Sequence, residues 1–123
     1  MIGIDGFGWV ERFTNGPKAQ QYNRVIDKVR PDEIVTSVVV LYEIYRKIKQ
    51  VKGEALALEA VASLTETKIV GIDQTLVLEA ADYSLSHQLH FADALIYATS
   101  RHFDAKLYTS DEDLKGLKDV IFV

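Results

Sequence analysis

Four acidic residues occur in this sequence where a surface acid is not expected. Asp5 ends an apolar run at the start of the chain, and Asp93 lies inside an alanine-rich, apolar segment. Glu43 comes directly after the apolar run 38–42, and Asp111 closely follows the apolar segment 105–108. A carboxylate in apolar surroundings is costly to keep charged unless a cation or strong hydrogen-bond donors compensate it. These four acids are therefore the first candidates for chemistry.

The chemistry depends on whether the four carboxylates meet. Two carboxylates about 4 Å apart repel each other by roughly 4 kcal/mol at an effective dielectric constant of 20, so a group of four must either take up protons or hold a divalent cation. Oxygen-only ligation by carboxylates and water suits Mg²⁺ or Mn²⁺ better than zinc. Such a cation binds phosphate oxygens and activates water, which is the chemistry of phosphodiester hydrolysis.

The elements that must position these acids alternate between short apolar strands and helices. This alternation predicts an α/β fold with a parallel sheet of four to five strands and helices on both faces, a Rossmann-like three-layer sandwich. The predicted strands are 1–5, 33–36, 68–72, 106–109 and 120–123, and the predicted helices are 6–14, 17–29, 38–51, 54–64, 73–85 and 91–103, with a polar turn or short helix over 111–117.

The predicted topology brings the acids together. Ligand sites of open parallel sheets lie outside the carboxyl ends of the strands, where the strand order switches. Asp5 and Asp111 come at such strand ends, and Glu43 is predicted in the opening turn of a helix that starts at the same edge. Asp93 also falls in the opening turn of its helix, but that helix follows another helix rather than a strand. We expect the four acids to converge on one edge of the sheet.

Length and composition restrict the class of protein. The 123 residues suit a single domain covering residues 1–123, and 48% hydrophobic with 26% charged residues is ordinary for a globular protein. A net charge of −4 lacks the basic signature of a general nucleic-acid binder. The absence of cysteine excludes disulfides and thiolate chemistry, and no apolar run is long enough to span a membrane. With no secretory signal at the start, we expect a cytoplasmic protein.

The ordered set of acids resembles the PIN-domain nucleases, and among them the VapC-type toxins of toxin–antitoxin modules. The resemblance covers essentially the whole chain and rests on the pair Ile4-Asp5, on Glu43 in a helix after the second strand, on the segment 91–96 around Asp93, and on the segment 108–114 around Asp111. The segment 5–13, with Trp9 and Glu11, also resembles the opening of many such toxins.

The resemblance implies a Mg²⁺- or Mn²⁺-dependent endoribonuclease that forms a homodimer and is silenced by a small antitoxin protein. It assigns metal binding to Asp5, Glu43, Asp93 and Asp111, with Asp113 as a helper and Thr109 as the hydroxyl that precedes the last acid. The sequence departs from the family pattern at Gly6-Phe7, where the family often carries a hydroxyl residue and then an amide. What orients Asp5 is therefore left open.

Other interpretations remain for the same residues. Asp5 could end a strand in a turn, Asp93 could serve the helix dipole, Asp111 could cap a helix, and Glu43 could pair with Lys47. A receiver-like phosphoacceptor domain fits the length and alternation, but such a domain needs two adjacent acids after its first strand, and Asp5 is followed by glycine. A PIN-like RNA-binding protein without catalysis is a further alternative.

Three more groups of residues are interpreted more plainly. His87 and His90 lack a third ligand and are predicted to be loop and helix-start residues rather than a metal pair. The aromatic residues Trp9, Phe13, Tyr42 and Tyr45 are predicted to lie in the core or at a dimer contact. The basic cluster Arg46, Lys47, Lys49 and Lys52 is either a solvated helix end or a contact for RNA phosphates.

Overall fold

The computed structural model describes residues 1–123 as a five-stranded parallel sheet flanked by six helices. The elements in chain order are β1 (Ile2–Ile4), α1 (Gly6–Thr14), α2 (Ala19–Ile26), β2 (Ile34–Ser37), α3 (Val38–Lys52), α4 (Glu54–Leu64), β3 (Lys68–Val70), α5 (Gln74–His87), α6 (Phe91–His102), β4 (Lys106–Thr109) and β5 (Val120–Phe122). Two short 3-10 turns, Pro31–Glu33 and Glu112–Leu114, precede β2 and follow β4. The predicted fold class is confirmed.

The strand order places the switch in topology beside the first strand. The order across the sheet is β3-β2-β1-β4-β5, so the chain builds outward from β1 on one side and then crosses to the other. Ile4 of β1 pairs with Tyr108 of β4, which sets Asp5 beside Thr109 at the carboxyl ends of the two strands. This is the position at which open α/β sheets bind their ligands.

Helix α3 buries a different face from the one predicted. The helical register of its apolar residues predicts a face formed by Leu41, Tyr42, Tyr45 and Ile48, whereas the buried residues are Val40, Ile44 and Ile48. Because the first five residues of the helix are all apolar, the pattern did not distinguish one face from another. Tyr42 is exposed as a result, while Tyr45 packs partly against the core.

Among the predicted elements that extend beyond the observed ones, the helix over 17–29 and the strand over 68–72 have a clear structural reason. The helix predicted over 17–29 spans only Ala19–Ile26, because a turn with a bond from the Ala19 N–H to the Gly16 carbonyl precedes it, and tight bonds of the 3-10 type follow it before Pro31. The strand predicted over 68–72 ends at Val70, which pairs with the last residue of β2. After Ser37 the chain continues as α3, so the residues that follow Val70 have no strand to pair with.

None of the helices is both long enough and apolar enough to cross a membrane.

Candidate metal centre

Asp5 is held at the end of β1 by protein donors on both of its carboxylate oxygens. Its Oδ1 atom accepts a hydrogen bond of 2.8 Å from the backbone N–H of Gly8, which makes Asp5 the N-cap of α1. Its Oδ2 atom accepts a bond of 2.7 Å from the Thr109 hydroxyl and one of 3.3 Å from the N–H of Ser110. These donors answer the question of what orients the first acid: the neighbouring strand and the helix start replace a side chain at residue 6.

The glycines after Asp5 allow close packing around it. A Cβ atom on Gly6 would lie 2.6 Å from Oε1 of Glu43, so the carboxylate of Glu43 occupies the space that a side chain at residue 6 would need. A Cβ atom on Gly8 would lie 2.3 Å from the ring of Tyr22, which is fully buried. The absence of a side chain at Gly6 therefore leaves room for Glu43 beside the start of α1.

The four acids identified from the sequence line one cavity at this edge of the sheet. The cavity has a volume of about 390 Å³ and is bounded by the carboxyl ends of β1 and β4, the starts of α1 and α6, and Glu43 of α3. Asp93 lies in the first turn of α6, as predicted, whereas Glu43 is the sixth residue of α3 and so lies in its second turn rather than its opening one. The lining carboxylates are Asp5, Glu43, Asp93 and Asp111.

Crowding and burial raise the pKa values of these acids. Burial raises the pKa of Asp5, although the bonds from Thr109, Gly8 and Ser110 partly offset the effect. Burial raises the pKa of Glu43 to about 7, with further contributions from the charges of Asp93, Asp5 and Asp111. Burial and the charges of Asp111 and Asp113 raise the pKa of Asp93 to about 6. Charges that repel each other across a cavity favour a compensating cation.

Asp113 lies at the exposed side of the same cluster. One carboxylate oxygen from each of Asp93, Asp111 and Asp113 falls within 4.8 Å of the others, which is close enough for a shared cation. Asp111 also caps the 3-10 turn that follows it, accepting a bond of 2.9 Å from the N–H of Asp113. The donor set consists of carboxylate oxygens alone and therefore fits Mg²⁺ or Mn²⁺.

Several site residues could not be recognised from the sequence. Lys18 lines the cavity and donates to the Ser110 hydroxyl at 3.3 Å, and the buried Tyr22 shares a hydrogen bond of 2.8 Å with the same hydroxyl. Phe7, also in the lining, is half exposed. Phe7 and Tyr22 belong to helices with ordinary sequences and Lys18 directly precedes α2, so only the folded structure, which brings Lys18 and Tyr22 to Ser110, identifies them.

The other residues singled out in the sequence do not line the acidic cavity. His90 is the N-cap residue of α6 and His87 ends α5, stacked on Tyr83, so neither lines the acidic cavity. Trp9 is buried and stacks on Phe13, as predicted for a core residue. Of the basic cluster, Lys49 alone is neutralised, by Glu54 at 3.6 Å.

The comparison with known families separates the PIN-like interpretations of the sequence from the receiver-like one. The sequence profile of the PIN domain family matches residues 8–120. This chain belongs to the PIN domain family. No curated protein sequence is a significant match to this PIN domain.

Solved structures with low sequence identity share the fold of this PIN domain. A toxin–antitoxin complex from Klebsiella pneumoniae is 20% identical with a TM-score of 0.83, covering 98% of this chain and 96% of the other. The Mycobacterium tuberculosis VapC20 toxin, which cleaves the sarcin–ricin loop, is 19% identical with a TM-score of 0.76 and coverages of 94% and 92%. VapBC2 from Rickettsia felis, bound to promoter DNA, is 15% identical with a TM-score of 0.73 and coverages of 100% and 98%.

The raised pKa values predict how the stability of the metal-free PIN domain depends on pH. Between about pH 4.5 and pH 7 the folded chain holds protons on Glu43 and Asp93 that the unfolded chain has already lost. The free energy of unfolding should therefore fall as the pH rises through this range, and the loss should be complete above the folded pKa values. Urea unfolding in EDTA at several pH values measures the effect.

Adding Mn²⁺ should reverse this trend, because a cation binds the ionised carboxylates and its binding releases protons. The Glu43→Gln variant is the control, since it should flatten the pH dependence in EDTA. A metal-free protein whose stability rises steadily from about pH 5 to about pH 8 would contradict the prediction.

Proposed function

We propose that this PIN domain is a metal-dependent endoribonuclease that acts in the cytoplasm as the toxin of a type II toxin–antitoxin pair. The observation that carries the proposal is the convergence of Asp5, Glu43, Asp93 and Asp111, from four separate segments of the chain, on one cavity. The family supports a nuclease, and the four carboxylates supply the ligands that a divalent cation prefers. The fold relatives named as toxins support the biological role.

The residues divide into ligands and supports. Asp5, Glu43, Asp93 and Asp111 would hold Mg²⁺ or Mn²⁺, and Asp113 would assist at the exposed side. A cation held there would supply Lewis-acid chemistry, offsetting the charge of the phosphodiester and lowering the pKa of water. Thr109 orients Asp5 through its hydroxyl and also accepts a bond of 3.0 Å from the N–H of Asp111, so one side chain links two ligands.

The geometry disfavours a phosphoacceptor domain. Such a domain needs a second acid beside the one that ends its first strand, whereas Asp5 is followed by Gly6, where a Cβ atom would lie 2.6 Å from Oε1 of Glu43. Asp73, the aspartate that follows β3, caps α5 through a bond of 2.8 Å from the Leu76 N–H. Neither residue is placed as an acceptor.

Incubation of the purified protein with RNA tests the proposed activity. We expect cleavage in Mg²⁺ or Mn²⁺ and none in EDTA, with activity restored when the cation is returned. Binding of RNA without cleavage in either cation would favour the alternative of a PIN-like protein without catalysis.

A small antitoxin protein is the proposed partner, and co-expression with the product of the adjacent reading frame should relieve growth inhibition by this chain.

An exposed apolar surface between α5 and α6 supports a homodimer. A hollow of about 420 Å³ is lined by eight residues, seven of them hydrophobic, and Leu85 and Phe91 at its rim are 83% and 76% exposed. Apolar surfaces of this kind usually mark a protein contact.

We expect Leu85→Glu to convert a dimer to a monomer in light scattering, without loss of folding because the side chain is exposed. Leu58→Glu, on exposed α4, is the matched control, and a dimer that survives Leu85→Glu would argue against this face.

A further inference from the structure

A second and larger groove runs alongside the acidic cavity. It lies between α1 and α3, has a volume of about 820 Å³, and shares Gly6, Phe7 and Glu43 with the cavity. The two spaces are therefore continuous, with Glu43 on the wall between them. A chain lying in the groove would lead directly to the four carboxylates.

The groove carries positive charge that nothing in the protein neutralises. Arg46, Lys47 and Lys52 line it, are exposed, and take part in none of the ion pairs of the structure. Lys49, on the same helix, lies outside the groove and is bonded to Glu54 and to the Tyr45 hydroxyl at 3.2 Å. Two acids line the groove: Glu43 lies at its border with the acidic cavity, and Glu11 is buried and accepts a bond of 2.9 Å from the Lys18 N–H. The free charge of the groove is thus complementary to a polyanion, although the whole chain carries −4.

An aromatic ring stands where the groove meets the cavity. Phe7 is 48% exposed, and its ring meets the ring of Tyr22 edge-on, with centroids 6.3 Å apart. Tyr22 is fully buried and its hydroxyl is bonded to Ser110, so Phe7 rests on a fixed support. Exposed rings beside cations are the combination that binds single-stranded nucleic acid, because each base has a face that stacks and each phosphate needs a counter-charge.

We propose that the groove between α1 and α3 binds single-stranded RNA, with its phosphates on Arg46 and Lys47 and a base on Phe7 next to the bond that is cleaved. The proposal rests on the proposed nuclease function and adds the path that its substrate takes and the residues that contact it. Paired bases cannot stack on Phe7, since their faces are already covered in a duplex. The groove therefore selects unpaired segments of RNA.

Binding measured without cleavage tests the proposal. Fluorescence anisotropy in EDTA, with a labelled single-stranded RNA of about 15 nucleotides, reports affinity while the divalent cation is absent. We expect Lys47→Gln to weaken binding and to reduce the slope of log K against log[salt] by about 0.7, the value for one phosphate contact on a single strand. Lys49→Gln is matched in helix and in charge change, and should alter neither.

The stacking residue is tested in the same assay. Phe7→Ala should weaken binding roughly 5- to 100-fold, the range for losing one stacked base, while Phe7→Trp should retain most of the affinity. The duplex form of the same RNA should bind more weakly to the wild type. Equal effects of Lys47→Gln and Lys49→Gln, or equal affinity for duplex and single strand, would overturn the proposal.

The outcomes separate this proposal from the nuclease proposal. If Lys47→Gln cleaves RNA in Mn²⁺ as well as the wild type and binds it equally, the groove proposal fails and the nuclease stands. If binding follows the groove variants but no RNA is cut in Mn²⁺, the nuclease fails and the groove stands. If Lys47→Gln loses affinity for the product of the adjacent reading frame and not for RNA, the groove is a protein-binding site and the proposal is wrong.

Discussion

Replacing Asp93 by asparagine is expected to abolish Mn²⁺-dependent cleavage of RNA while leaving the fold intact. Mutation of groups that merely support metal ligands typically costs about 10- to 100-fold in affinity or activity, so loss of a ligand itself should cost more than about 100-fold. The free energy of unfolding in EDTA should stay the same or rise slightly, because burial and the charge of Asp111 disfavour the ionised form of Asp93. A cleavage assay and urea unfolding measure the two effects.

Asp82→Asn provides the matched control for this variant. Asp82 is exposed on α5 and makes no hydrogen bond or ion pair, so the same chemical change there should leave both cleavage and stability unaltered. If the Asp93→Asn variant cleaved RNA at the wild-type rate, the assignment of Asp93 to the proposed metal centre would be wrong. Isothermal titration with Mn²⁺ adds a readout independent of catalysis, since the variant should bind the cation more weakly.

Replacing Gly8 by alanine is expected to destabilise the protein through a contact with a buried ring. The new Cβ atom would lie 2.3 Å, 2.5 Å and 2.8 Å from three atoms of Tyr22. Overpacking of this kind costs up to about 3 kcal/mol, whereas alanine gains at most about 1 kcal/mol of helix propensity over glycine. The net loss in the free energy of unfolding should therefore be about 2 kcal/mol, measured by urea unfolding in EDTA.

Gly71→Ala is the control for this substitution, because a Cβ atom there meets no other atom within 4 Å. We expect its effect on stability to stay within about 0.5 kcal/mol. The Gly8 variant should also bind Mn²⁺ more weakly, since the N–H that orients Asp5 belongs to the displaced residue. A Gly8→Ala protein as stable as the wild type would show that Tyr22 can move, which its hydrogen bond to Ser110 argues against.

The sequence was sufficient to predict the strands and the convergence of the acids. Asp5 and Asp111 could be placed because they follow apolar segments directly, and parallel strands end at one edge. Asp93 was less secure, since its helix follows α5 rather than a strand; the packing of α6 against β2 and β4 brings it to the cavity. The position of Glu43 in its helix was predicted one turn too early, because Glu43 was counted with the preceding apolar run.

The supports of the site could not be predicted, because they depend on contacts between distant segments. Gly6 and Phe7 were interpreted as a loss of orienting groups, yet the donors to Asp5 come from Gly8, Thr109 and Ser110. The exposed face of α3 could not be predicted from the sequence either, because the apolar run at the start of the helix hides the helical period of the pattern. Only the packed structure separates Lys47, which faces the groove, from Lys49, which does not.

The bond between Asp5 and the Thr109 hydroxyl joins residues 104 positions apart, and it has a consequence during translation. At synthesis rates of about 5–20 residues per second, roughly 5 to 20 seconds separate the two residues as they leave the ribosome. Throughout that interval β1 lacks its neighbour β4, so Asp5 has neither the Thr109 hydroxyl that orients it nor Asp111 near it. A nascent chain therefore lacks the acidic cavity, which is complete only once the last third of the molecule has emerged.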